Sequence, residues 1–162
     1  MRPIFRAFAF ALVIGLGGAS SVFAGNINET LSVNSTITVT GIPASIDYGA
    51  LDPGATSPTR GFDVAVTSNA SWTFKESGSA FGGAGTIAKS QRYGQFGSGN
   101  NAVISGPTSW ADFGMNAFDG STVLVSGQPG AASFHTDLRV QIPAGQAPGA
   151  YTGTITYTFT AS

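Results

Sequence analysis

The one histidine of the 162-residue sequence, His135, stands two residues after Ser133 and two before Asp137 in AASFHTDL. Serine, histidine and aspartate are the set used in nucleophilic hydrolysis, where the imidazole takes the hydroxyl proton and the carboxylate orients the ring. Residues two apart on a strand, however, project side by side from one face rather than toward each other. No strand-to-helix elbow presents Ser133 either. A polar edge-strand face is the simpler account of the triplet.

Oxygen ligands gather in DFGMNAFDG, where Asp112, Asn116, Asp119 and Gly120 stand at loop spacing. Calcium takes such oxygens, but the spacing is not that of the twelve-residue calcium loop and no glutamate closes it. Asp and Asn in glycine-rich loops otherwise bond their own backbone. The eight Asp and Glu are scattered, with no pair set for glycoside hydrolysis. The sequence contains no cysteine, which removes thiol chemistry and Cys-ligated zinc. No metal, no cofactor and no enzymatic activity are expected.

Two aromatics, Tyr93 and Trp110, fall in polar, glycine-rich surroundings. A ring exposed on a loop can stack on a sugar while a nearby Asn or Asp bonds the hydroxyls; it can equally fold back over the core as a lid. Both readings stay open, and the pair are the ligand-binding candidates.

The elements that must position these residues are strands. Leu31, Val33, Ile37 and Val39 share one parity of LSVNSTITV, the signature of a half-buried strand. Ile46 and Tyr48 in ASIDYGAL, Phe62, Val64 and Val66 in GFDVAVTS, and Leu138, Val140 and Ile142 in LRVQIP repeat it. Asn69 turns the chain before Trp72 and Phe74, which share a face and are expected to fill the core. Tyr151, Ile155, Tyr157 and Phe159 form the core face of the closing strand, and Gly153 leaves a gap in the same series. The glycine-rich middle is expected to hold short strands near Thr86–Lys89 and Ala102–Ser105 between long loops. About seven to nine short strands with regular turn signals and no helix predict an all-β fold, an antiparallel immunoglobulin-like β-sandwich. A closed barrel is the competing architecture.

At the N-terminus, MRPIFR, an apolar run of about a dozen residues and ASSVFA have the order of a secretory signal peptide over residues 1–24. The run is short of the roughly 20 residues that span a bilayer. Cleavage after Ala24 leaves residues 25–162 as one domain with five Lys and Arg against eight Asp and Glu. With no basic cluster to neutralise phosphates, nucleic acid is not an expected partner. The expected location is extracellular or cell-surface, with the periplasm as another exported compartment.

SIDYGALDPGATSPTRGFDVAVTSNASWTF and QIPAGQAPGAYTGTITYTF together resemble the opening and closing strands of exported bacterial Ig-like surface proteins, the WxL-type domains and the spore-coat-U or fimbria-like subunits. The Trp-x-Leu motif of the former falls on Trp72 and Phe74, and its second motif on Tyr151, Ile155, Thr156, Tyr157 and Phe159, with apolar class kept and most identities changed. The resemblance implies a structural, interaction or adhesion role at the cell surface. The stretch GNINETLSVNSTITVT alternates from the expected cleavage site onward, so it could complete a neighbour's sheet by strand addition or form the first strand of its own domain. A carbohydrate-binding module built on Trp110 and Tyr93 is the alternative function, with surface glycan as partner.

Overall fold

The structure, a computed structural model, describes residues 30–110 and 119–162. Residues Val33–Ser162 form one compact unit. In chain order the strands are β1 (Ile37–Thr40), β2 (Arg60–Ser68), β3 (Trp72–Gly78), β4 (Phe81–Gly83), β5 (Thr86–Ile87) and β6 (Arg92–Gly97). They continue with β7 (Ala102–Ile104), β8 (Val125–Gly127), β9 (Gly130–Val140), β10 (Tyr151–Thr152) and β11 (Ile155–Ala161). One 3-10 turn, Lys89–Gln91, is the only helical element among the described residues. The expected signal peptide lies outside them, and no described helix is long and apolar enough to cross a membrane.

Two four-stranded antiparallel sheets pack face to face, with orders β1-β2-β9-β6 and β11-β3-β8-β7, and a small sheet β10-β4-β5 caps one end. The fold is therefore the expected antiparallel β-sandwich. The strand period of two decides what enters the interior. On β9 it buries Ala132, Phe134, Thr136, Leu138 and Val140, and on β2 it buries Val64, Val66 and Ser68. On β3 the same parity carries Trp72, Phe74 and also Glu76 inward. On β6 it carries Arg92, Gly94 and Phe96.

Trp72 and Phe74 are each 1% exposed and belong to the main core cluster with Phe96, Leu124 and Phe134. Tyr157 and Phe159 pack against that cluster while half-buried, and Tyr151 packs on a second cluster of Phe81, Ile87 and Val140. Trp72 lies opposite Gly127 in the β3–β8 register, and a Cβ there would stand 2.5 Å from the indole ring. Gly127→Ala is thus expected to cost about 1–3 kcal/mol by overpacking, read as a lower midpoint in denaturant unfolding. An unchanged midpoint would show that the indole moves aside freely.

The strand pattern departs from expectation in three ways. Among the described residues eleven strands are present rather than seven to nine, because the middle holds β4 and β6 in addition to β5 and β7 and the closing run divides into β10 and β11. The alternation from Leu31 to Val39 yields only β1 from Ile37, because pairing with β2 ends at Ser68 and Asn69 turns away there. Asn69 then fastens the departing chain through bonds between its side chain and Thr36 N and Asn34 O. Ile46 and Tyr48 lie in no strand; Tyr48 is half-buried because it packs edge-on against Phe81, with ring centroids 6.4 Å apart.

Candidate functional site

His135 lies on the outer face of the first sheet, opposite Asp63 on β2 and Gly97 on β6. Its Nδ1 is 2.7 Å from Asp63 Oδ1 and its Nε2 is 3.1 Å from Asp137 Oδ1. Gln95 donates to the other Asp137 oxygen at 3.1 Å. This corrects the expectation of an edge strand on which residues two apart do not meet, since β9 lies between β2 and β6 and His135 bonds Asp137. Glycine at positions 61 and 97 leaves the space in which the imidazole and the Asp137 carboxylate turn toward one another, since a Cβ at Gly61 would stand 2.8 Å from Nε2. Ser133 does not join them; its hydroxyl accepts from Asn100 N. The bond to Asp63, and secondarily Asp137, raises the imidazole pKa above its ordinary value, against a smaller opposing effect of burial.

Two positions further along the same face, Arg139 gathers both ligand-binding candidates. Its guanidinium carbon is 4.1 Å from the Trp110 ring centroid and 5.6 Å from that of Tyr93. Tyr93 stands on β6 rather than in a loop, and its hydroxyl donates to Gln141 Oε1 at 3.1 Å. Both rings are half-buried. Arg139 was not a sequence candidate; its place between two aromatics follows from the β6–β9 register, which sets it opposite Tyr93.

The Asp112–Asp119 loop is described only from Asp119. That carboxylate accepts from the backbone N–H groups of Ser121 at 2.7 Å and Thr122 at 2.9 Å and from both hydroxyls. Led by the Ser121 hydroxyl, these bonds hold its pKa well below the usual carboxylate range. It forms an Asx turn. Asp112 and Asn116 lie outside the described residues.

The second candidate site is a seam. Among the described residues β1 pairs only with β2, and β11 only with β3, so two edges without a described partner border the same side of the sandwich. The inward residues of β1 (Ile37, Val39) and of β11 (Ile155, Tyr157, Phe159) are half-buried, unlike the buried parity of β2, β3 and β9. Beneath them lies an aromatic floor: Phe74 is 4.8 Å from Phe159 and 5.8 Å from Tyr157, and Phe62 is 6.1 Å from Tyr157, between ring centroids. The opposite seam is closed, since Phe96 N on β6 donates to Pro107 O and Gly106 N to Leu124 O.

Where β11 begins, the seam opens into a cavity of about 360 Å³ bordered by Tyr48, Phe81, Arg92, Gly153 and Tyr157. Arg92 is 1% exposed; its guanidinium lies 4.3 Å over the Phe81 ring, and Nη1 donates to Ser79 O and Thr154 O. Arg92 Nε and the Tyr48 and Tyr157 hydroxyls are buried with no hydrogen-bond partner among the described residues. Glu76, 1% exposed, has one carboxylate oxygen in the same condition. Burial pushes its pKa up to about 8, the Arg92 charge opposing, so it is protonated at neutral pH.

No family model matches the chain, and no curated protein matches it. A solved structure, that of a family 123 glycoside hydrolase from Clostridium perfringens studied for glycolipid glycan hydrolysis, is similar at 20% identity and a TM-score of 0.40. The match covers 67% of this chain and 19% of that one, so the chain spans about a fifth of the hydrolase's length. The expectation that the chain is not an enzyme is corrected by this finding, since the similar protein is a hydrolase; a likeness of this extent assigns no activity or substrate.

Proposed function

We propose that the protein is an exported structural subunit of a cell-surface assembly, and that it self-associates by strand addition. The observation that carries this reading is the open seam along β11. In an immunoglobulin sandwich one sheet runs A-B-E-D and the other G-F-C. Here β1-β2-β9-β6 takes the first order, and β11 beside β3 takes the places of F and C. No described strand occupies the place of G outside β11. A free edge above half-exposed Ile155, Tyr157 and Phe159 is a template for an added strand, with main-chain bonds giving affinity and alternate side chains filling the groove.

The occupant is the N-terminal segment, residues 25–33, of a second copy. Leu31 and Val33 share one parity and are 91% and 78% exposed, large apolar side chains in a stretch that joins no described strand. Two apolar residues of this kind are the complement of the groove. The resemblance to spore-coat-U and fimbria-like subunits, and the signal-like leader, agree with assembly outside the cell.

Size-exclusion chromatography with light scattering on residues 25–162 tests the proposal. Oligomers that persist on dilution are expected, and Leu31→Asp with Val33→Asp is expected to leave monomers of unchanged folding stability. A wild-type monomer, or assembly indifferent to both substitutions, would overturn it.

A second reading, a glycan-binding face on the first sheet, is favoured by the convergence of Tyr93 and Trp110 on Arg139 beside Asp137 and Gln95. Tryptophan fluorescence during titration with soluble glycans, compared with Trp110→Ala, reads it directly.

A further inference from the structure

We infer that the cavity at the start of β11 is a carboxylate-receiving site for Glu29 of a second copy, and that this contact fixes the direction and register of the inserted strand. The inference rests on the strand-addition reading and specifies its chemistry.

Three donors meet in the cavity without acceptors: Arg92 Nε, Tyr48 Oη and Tyr157 Oη. A buried guanidinium ordinarily has an ionised partner, because an unpaired charge in the interior is costly. Among the described residues Arg92 has no carboxylate within ion-pair distance; the ion pairs present are those of His135. Glu76, the acid whose charge Arg92 feels, stays neutral up to about pH 8 and does not supply the missing anion. The cavity therefore presents one positive charge and two phenol donors, the complement of a carboxylate.

The backbone opens the way to it. A Cβ at Gly153 would stand 2.9 Å from Arg92 Nη2 and 3.1 Å from Phe81 Cδ1, so a side chain there would fill the approach. Gly153 continues the inward parity of Ile155, Tyr157 and Phe159, which places the gap in line with the groove.

The segment proposed to enter carries one acid. Between Gly25 and Ile46 the only Asp or Glu is Glu29, and it shares parity with Ile27, Leu31 and Val33. Two residues of strand span roughly 6.7 Å, on the donor as on β11. With the donor parallel to β11, Glu29 reaches the level of Gly153 as Leu31 reaches Ile155 and Val33 reaches Tyr157. Antiparallel insertion with Leu31 at the same level would set Glu29 over Tyr157, in the apolar stretch, and leave Arg92 unanswered. Charge selects the parallel direction.

The test uses residues 25–162 and compares the protomer concentration at half-assembly. Glu29→Gln is expected to raise it at least tenfold and Glu29→Arg to abolish assembly, while Glu29→Asp retains most of it. The chain has no cysteine, so Thr30→Cys with Thr154→Cys reports register independently: an intermolecular disulfide forms readily if the strands run parallel with Glu29 at Gly153. Assembly that is lost in the Leu31→Asp, Val33→Asp variant but unchanged in Glu29→Gln would overturn this inference and leave strand addition standing. Failure of the wild type to assemble would overturn both. Absence of the disulfide in an assembling cysteine variant would overturn the register.

Discussion

Equilibrium unfolding followed as a function of pH is expected to show stability falling from about pH 4.5 to about pH 8, with the slope between about 4.5 and 6.5 abolished in Glu76→Gln. In the unfolded chain Glu76 ionises near 4.5, whereas in the fold burial holds the proton to about 8. Between those values the folded state binds one proton more than the unfolded state, so each rise in pH favours unfolding, by about 1.4 kcal/mol per unit for a single group. Below the window both states are protonated and above it both are ionised. His135 also has a raised pKa, so its contribution is present below the ordinary imidazole value of 6.5 and lost as pH rises through the folded one. That confines it to the upper part of the range. Asp119 acts in the opposite sense and only in acid, where its stabilised carboxylate becomes protonated. The stretch from 4.5 to 6.5 therefore isolates Glu76. Parallel curves for wild type and Glu76→Gln there would show that the side chain is solvated.

The same titration bears on assembly. Once Glu76 ionises, a second carboxylate stands near Arg92, among Tyr48 and Tyr157, whose phenols burial keeps protonated throughout this range. Arg92 is then answered from within its own subunit, and an incoming Glu29 meets repulsion instead of an unpaired cation. Half-assembly is accordingly expected at higher concentration above pH 8 than at neutral pH, a difference Glu76→Gln removes.

How much of this was legible in the sequence depended on what each strand carries inward. Strands β2, β3 and β11, and the end of β9 at Leu138 and Val140, were readable because their inward positions carry apolar series, such as Val64 and Val66 or Trp72 and Phe74. Strand β6 was not: its inward residues are Arg92, Gly94 and Phe96, two of which no apolar pattern selects. At β1 the alternation was genuine from Leu31 onward, but period alone does not say where a strand loses its partner. The bonds from Asn69 mark that point, and the apolar parity continues past it into the segment proposed to leave. Gly153 was legible as a gap, since it breaks an aromatic series. The unpaired Arg92 beneath it was not, because its surroundings come from the β3 and β11 sheet and the loop at Tyr48, far apart in sequence.

Truncating Phe74 and truncating Phe159 are expected to separate the core from the seam. Phe74→Ala is expected to cost about 3–5 kcal/mol, the range for deleting a buried phenyl ring. Phe74 is 1% exposed, and its ring stands 5.2 Å from Phe134 and 6.0 Å from Phe96 as well as touching both seam aromatics. The void cannot be closed by one neighbour, since rings from both sheets border it, and none can move far without losing its own contacts. Phe159 also packs on Phe74, at 4.8 Å, but one side of it faces the open seam. Water already reaches that side, so Phe159→Ala removes less buried area and leaves a notch rather than a cavity. Its folding cost is expected to be clearly smaller than that of Phe74→Ala, measured by denaturant unfolding under conditions that keep the protein monomeric. Its effect on half-assembly is expected to be large, because the added strand buries the exposed half of that ring. Equal folding costs, together with assembly indifferent to Phe159, would mean that the seam closes on itself and that β11 is an ordinary protected edge.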